Sequence, residues 1–384
     1  MVRDPPPAAT AEAARIECVR RELDRVAGPG GFVRFDRFME IALYAEEIGY
    51  YARDDSPLGP AGDFYTAGHV HPLFGRTIGA RVLEIRRTLG RDRPFEIFEI
   101  GPGDGTLAAS LLASLVESGE PLEGLSYHLV EISPALARRS LERARAAAGA
   151  HLPVRVDPAV GASGPFEGVV VGNEFLDALP GRRLRWTGDG WSELGFRRSG
   201  TGFVPAEATA DPTDLPRDLA TPREPGAIAE VSPAAESWIR TVADHLVRGA
   251  VVLIDYGNEE NEQFSAHPEG TVASFRRHQE LRDFWSEPGA SDLSMFVNFT
   301  RLRAAARRAG FAELAYGPQS EALAAWGFAR QLEAELARAP SAEAEVRLRL
   351  AAKNLLFGFE RFRVLELAAR SCADALGPLR WPVA

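Results

Sequence analysis

The chain has 384 residues, 45% of them hydrophobic, and a formal net charge of −10. That length fits one enlarged domain with a large core, while the acidic balance argues against nucleic-acid or anionic-membrane partners, which draw on excess Lys and Arg. The two cysteines, Cys18 and Cys372, form no paired motif, so a disulfide framework is excluded and a reducing, cytoplasmic compartment is expected.

Residues 1–10 read as disordered, and MVRDPPPAAT carries no secretory core. An amphipathic helix is expected over 11–27, closed by Gly28, Pro29, Gly30 and Gly31. A second is expected over 33–52, with Phe35, Phe38, Met39 and Ala42 at helical spacing. Residues 54–72 are rich in Gly, Pro and Asp and read as irregular chain, and 73–89 as helix.

From residue 95 strands and helices alternate. PFEIFEI, LSYHLVEIS, LPVRVD and EGVVVGN read as strands, with helices after the first two. RRLRWTGDGWSELGF reads as a hairpin turning at Gly188, Asp189 and Gly190. A Pro-rich loop follows, with Pro205, Pro212, Pro216, Pro222 and Pro225. Residues 232–257 read as helix then strand, with Ser232 as N-cap, Pro233 in the first turn and Gly249 past the helix end. TRLRAAARRAGFAELAYG repeats helix then strand, and the chain beyond 320 reads as helical. No apolar run reaches the ~20 residues of a bilayer span, so no membrane association is expected. The alternation predicts an α/β fold with a doubly wound, mainly parallel sheet, whose ligand sits beyond the carboxyl ends of the strands.

The stretch EIGPGDGTL lies at such an end. Glycine allows positive φ and lets a ligand approach the backbone. A phosphate-binding P-loop needs a lysine that this turn lacks. A dinucleotide turn needs G-x-G-x-x-G, and here Thr106 holds the last position, with Gly105 one place early. The remaining pattern, Glu99, Gly101, Pro102, Gly103, Gly105 and Thr106, resembles the turn of class I S-adenosylmethionine (SAM) methyltransferases. The next strand ends at Glu131 and Ile132, where a carboxylate can accept both ribose hydroxyls. Asn173, Glu174 and Asp177 follow an apolar strand and read as the floor of the site.

GDFYT, EIGPGDGTL, VEISPAL, NEFLDALP, EVSPAAESWI, GAVVLIDYG and PGASDLSMFVNF occur in the order found in the MidA-like methyltransferases, which the chain resembles over about residues 33–330. That family includes a mitochondrial complex I assembly factor that methylates an arginine. The resemblance implies a class I methyltransferase core with SAM as cofactor. It divides the chain into an N-terminal helical, substrate-side segment (1–90), a SAM-binding core (91–320) with insertions at 181–226 and 257–297, and C-terminal helices (321–384). Asp63 and Thr66 of GDFYT are expected near the methionine end of SAM, beside Asn173 and Glu174.

The chain departs from the family pattern on the substrate side. His69 stands at the family's glutamate position, His71 at a serine position and Phe296 at a histidine position. A histidine can deprotonate a neutral acceptor near pH 7. His69 or His71 is therefore the expected base, with Glu174 and Asp177 as catalytic carboxylates. The expected acceptor is an O or N nucleophile of a small molecule; the alternatives are a protein arginine as acceptor, or a SAM-binding assembly factor without catalysis. No metal is expected, and the added helices are a candidate dimer contact.

Overall fold

The computed structural model describes residues 7–52 and 67–377, except 201, 217, 223, 277 and 278, together with Trp381. Helix α1 (Pro7–Val26) takes in residues 7–10, expected to be disordered. The helix expected over 33–52 is broken. Strand β1 (Phe32–Arg34) leads into α2 (Phe35–Tyr44), which ends where Ala45 turns to ψ 130°. The described chain resumes with α3 (Ala67–Val70) and α4 (Leu73–Leu89), the second matching its predicted bounds.

Alternation then holds through β2 (Phe95–Ile100), α5 (Thr106–Glu117), β3 (Leu125–Val130), α6 (Pro134–Ala148), β4 (Val154–Asp157) and β5 (Phe166–Asn173). The hairpin of β6 (Arg182–Trp186) and β7 (Trp191–Ser199) turns where expected. Part of the Pro-rich loop is strand β8 (Gly202–Thr209), which pairs only with β7. Pro205 is tolerated there because an edge strand can spare one N–H.

After β9 (Ile228–Val231), Ser232 caps α7 (Pro233–His245) by accepting the Ala235 N–H at 3.1 Å. The helix runs straight into β10 (Leu246–Asn258), so Gly249 lies inside the strand rather than at the helix end. The register slips just before it, between Leu246 and Arg248; at Gly249 φ is 145°, and a Cβ would sit 1.8 Å from the Gly168 carbonyl oxygen. Next come α8 (Glu260–Ala266), β11 (Ala273–Arg276), β12 (Gln279–Glu280), β13 (Asp292–Ser294), β14 (Val297–Asn298), α9 (Phe299–Arg308) and β15 (Phe311–Pro318). The tail, expected to be helical, holds α10 (Gln319–Ala325), α11 (Phe328–Ala337), α12 (Ala342–Phe357) and α13 (Ala373–Leu376), but also strand β16 (Phe362–Ala369).

The main sheet runs β15-β16-β10-β5-β2-β3-β4. Its strands from β10 to β4 are parallel, and β16 enters antiparallel between β10 and β15. The C-terminal segment is thus part of the sheet, not only a layer packed on it. Arg81 of α4 donates to Glu366 of β16 at 2.7 and 2.9 Å, and both are buried. The chain goes outward from β2 through β3 to β4, then returns to β5 on the other side of β2, so the switch point lies between β2 and β5. A second sheet, β1-β7-β6-β9 with β8, packs Phe196 and Phe203 against Phe35, Phe38 and Met39 of α2 and Leu23 of α1.

Candidate functional site

A cavity of about 520 Å³ opens at that switch point, within the usual range for small-molecule sites. Its wall includes Gly101, Pro102, Gly103, Asp104 and Thr106 from the turn between β2 and α5. Gly101, Gly103 and Gly105 hold φ of 62°, 54° and 81°, values that L-residues other than glycine reach only at a cost. Gly105 has a different reason to be glycine. It faces away from the cavity, and a Cβ there would lie 2.6 Å from Ser140 Cα of α6. Its missing Cβ lets two helices approach, and Gly105, expected to bind the cofactor, is not among the residues that line the cavity.

Glu131 follows the last residue of β3. One carboxylate oxygen accepts the Ser133 N–H at 2.9 Å and the other the Gly103 N–H at 3.3 Å. Burial outweighs these bonds and pushes its carboxyl up to about 7. Ile132 is 64% exposed and lines the cavity, with Leu136, Pro158, Ala159 and Val160 as further apolar wall. Glu99 also lines it. The Tyr127 hydroxyl donates to its carboxyl at 2.5 Å, yet burial still raises it to about 7.

The turn after β5 supplies the floor. Glu174 has φ 53°, strain of about 1 kcal/mol or more that the surroundings must impose. Its carboxyl accepts the Ala67 N–H at 3.0 Å and the Asn173 side-chain amide at 3.1 Å, and burial drives it up to about 8. Asn173 Oδ1 is buried with no hydrogen-bond partner among the described residues. Asp177 is not in the wall. It is buried behind Glu174 and accepts the Tyr256 hydroxyl, with its carboxyl raised by burial to about 6.

The two histidines separate. His69, on α3, lines the cavity with Nε2 3.4 Å from Asp104 Oδ1. Burial opposes ionisation of Asp104, but hydrogen bonds from His69 and Thr106 win and hold it well below the usual carboxylate range. His71 is outside the wall. Its Nδ1 accepts the Leu73 N–H at 3.1 Å, and burial lowers its basicity. The ring caps α4, so His71 is removed from the candidate bases. Asp63 and Thr66 lie outside the described residues.

Sequence reasoning missed several wall residues. Tyr44 and Tyr51 stack at 5.7 Å, and Phe175 meets Trp238 edge-on at 4.8 Å. The Tyr44 hydroxyl donates to the Ala178 carbonyl, and that of Tyr51 to Asp292. Burial, then nearby carboxylates, pushes both phenols well above their usual range. Only position in the fold gathers these rings, so no local signal could have found them.

The chemistry of the wall discriminates between ligands. Among the described residues, five carboxyl residues, Glu40, Glu99, Asp104, Glu131 and Glu174, line it, and no Arg or Lys does. A pyrophosphate would meet unbalanced negative charge there. A ligand with a sulfonium, an ammonium and a ribose diol fits: Glu131 can take the hydroxyls, Asn173 Oδ1 an ammonium proton, and the apolar wall the adenine. Among the described residues no cluster could hold a metal ion.

Sheet order and cavity together define a class I SAM-dependent methyltransferase. A family model described as an S-adenosyl-L-methionine-dependent methyltransferase matches residues 77–316, and the chain belongs to that family, as a divergent MidA-like member. A Burkholderia thailandensis protein solved with S-adenosyl-homocysteine superposes with a TM-score of 0.85, at 31% identity over 96% of each chain. The mitochondrial protein arginine methyltransferase NDUFAF7 homolog of Drosophila melanogaster is 29% identical, covering 71% of this chain and 66% of that protein. Its Xenopus laevis counterpart is 27% identical, covering 76% and 69%. The chain thus spans about two thirds of the length of these curated relatives. The cofactor is SAM.

Proposed function

We propose that the enzyme methylates a nitrogen that enters the cavity as a cation, with an arginine guanidinium as the best fit. Glu174 carries this reading. It is a half-buried carboxyl in the cavity wall, raised to about 8, and among the described residues it pairs with no cationic side chain. A guanidinium would favour its ionised form and supply paired N–H donors. The names of the Drosophila and Xenopus relatives support the same acceptor.

Bound SAM supplies a methyl group on a sulfonium, which makes the transfer a displacement governed by alignment and water exclusion. Glu131 and the backbone of Gly101–Gly103 hold the cofactor. Glu174 orients the acceptor and receives the proton that its nitrogen gives up as the N–C bond forms and the S–C bond breaks. The ionised form that the guanidinium favours is the form able to take that proton. Phe175, Trp238 and Leu179 keep the path apolar.

A second reading keeps the small, neutral acceptor, with His69 as base and Asp104 orienting it, as the 3.4 Å pairing allows. Glu174→Gln and His69→Ala, assayed with arginine peptides and with small amines and alcohols, separate the two. The proposal expects methylarginine by mass spectrometry and a loss of about 10²-fold in Glu174→Gln. A methylated small molecule, with the loss confined to His69→Ala, would favour the second reading.

Two lesser readings accompany this one. We infer a homodimer through the added helices, because α12 exposes Val346, Leu350 and Phe357; analytical ultracentrifugation tests it. The free state of Cys18 and Cys372 supports a reducing, cytoplasmic compartment, which cell fractionation tests; the names of the curated relatives instead say mitochondrial.

A further inference from the structure

The IDYG stretch plays no part in the site as described, since neither Asp255 nor Tyr256 lines the cavity. Both act on the turn that presents Glu174. The Ile254 carbonyl accepts the Glu174 N–H at 2.9 Å. The Asp255 carboxylate accepts the N–H groups of Leu176 and Asp177 at 2.9 and 3.3 Å with one oxygen, and that of Tyr256 at 2.9 Å with the other. The Tyr256 hydroxyl donates to the Asp177 carboxylate, and the Asp177 carbonyl accepts the Met295 N–H at 3.0 Å. Three consecutive residues of β10 therefore grip Glu174, Leu176 and Asp177 of the four-residue turn from Glu174 to Asp177.

The grip explains two features otherwise unaccounted for. The φ of 53° at Glu174 persists only where the flanking bonds over-determine it. Two carboxyls, Asp177 and Asp255, are buried together without a cation among the described residues. Burial, then the charges of Asp177 and Glu174, pushes Asp255 well above the carboxylate range. Such an arrangement is costly, and the return is a fixed backbone beneath the acceptor carboxyl.

We propose that Asp255 and Tyr256 are positioning residues for methyl transfer, acting through the Glu174–Asp177 turn to hold the Glu174 side chain toward the acceptor. The inference rests on the reading of Glu174 given above. Its test is a double-mutant cycle of Tyr256→Phe and Glu174→Gln in the full chain, with Asp255→Asn as a second probe of the grip. The readouts are kcat, the KM of the arginine peptide, and S-adenosyl-homocysteine affinity by calorimetry.

Tyr256→Phe should bind S-adenosyl-homocysteine within about twofold of the parent, because Glu131 and the glycine turn are untouched, and should lose about tenfold in kcat from the misplaced carboxyl. In the Glu174→Gln background the same change should cost less than about twofold, since residues acting through one another are not additive. Equal losses in both backgrounds, or full turnover in Tyr256→Phe beside an impaired Glu174→Gln, would overturn the inference alone. Full turnover in Glu174→Gln would overturn the acceptor reading with it. If Asp255→Asn fails to fold, the Tyr256 cycle still decides.

Discussion

The Glu131 carboxylate reaches across from the end of β3 to the Gly103 N–H at 3.3 Å, joining the two loops proposed to hold the cofactor. With only backbone donors in a buried setting, its carboxyl sits near 7. Ribose hydroxyls donate to the ionised form, so binding must release a proton below that value. S-adenosyl-homocysteine affinity should therefore rise by up to about tenfold per pH unit between about pH 5.5 and 7, then level off. Calorimetry in two buffers of different ionisation heat should count the proton, and Glu131→Gln should abolish the dependence.

The same sign governs stability. Glu99, Glu131, Glu174 and Asp177 titrate at about 7, 7, 8 and 6 in the fold, all above their ordinary values. The native state then holds protons that the unfolded chain has lost, so the ligand-free protein should melt at lower temperature as pH climbs from about 5 to 8. A melting temperature that rises across that range would contradict the burial of these groups.

Gly105 and Ser140 make a packing prediction separate from ligand binding. Gly105→Ala forces φ 81° on an L-residue and drives Cβ to 2.6 Å from backbone, a cost of about 3 kcal/mol. Gly101→Ala meets only the Phe175 Cβ at 3.1 Å and should cost about half that. Urea unfolding of the two variants measures the order.

His71 makes the opposite kind of prediction. His71→Ala removes the acceptor for the Leu73 N–H at the start of α4, so stability should fall by about 1 kcal/mol. Turnover should stay at the parent level, and a loss of kcat at unchanged stability would restore the ring as a candidate base.

Arg81 and Glu366 tie the C-terminal strand to α4, and Trp381 Nε1 donates to the same carboxylate at 3.0 Å. Arg81→Met strands a buried charge and should cost about 3–5 kcal/mol. Adding Glu366→Leu should restore part of the loss, which a denaturation cycle reads directly.

The buried ion pair also shows why the tail was misread. Glu366 puts a charge in the middle of a strand buried from Val364 onward, which breaks the apolar run that marks such strands, and its compensating partner is far away in sequence. The Ser232 cap and the hairpin at Gly188 were legible because both are set by neighbours along the chain. Signals that depend on distant contacts were not. Gly105 looked like a ligand glycine because Ser140 is invisible to it in sequence. His71 could be read either as a base or as a cap near Pro72, and only the position of its ring against the Leu73 N–H favours the cap. Tyr44, Tyr51 and Trp238 meet only once the two sheets and their helices are assembled.

The central claim is that the crevice between the glycine turn and Glu131 holds SAM while Glu174 faces the acceptor. A crystal structure of the complex with S-adenosyl-homocysteine tests it most directly. The account predicts both ribose hydroxyls within hydrogen-bond distance of the Glu131 carboxylate, adenine against Ile132, and the homocysteine end near Asn173 and Glu174. A ligand whose sugar lies away from Glu131, or whose sulfur points away from Glu174, would contradict it.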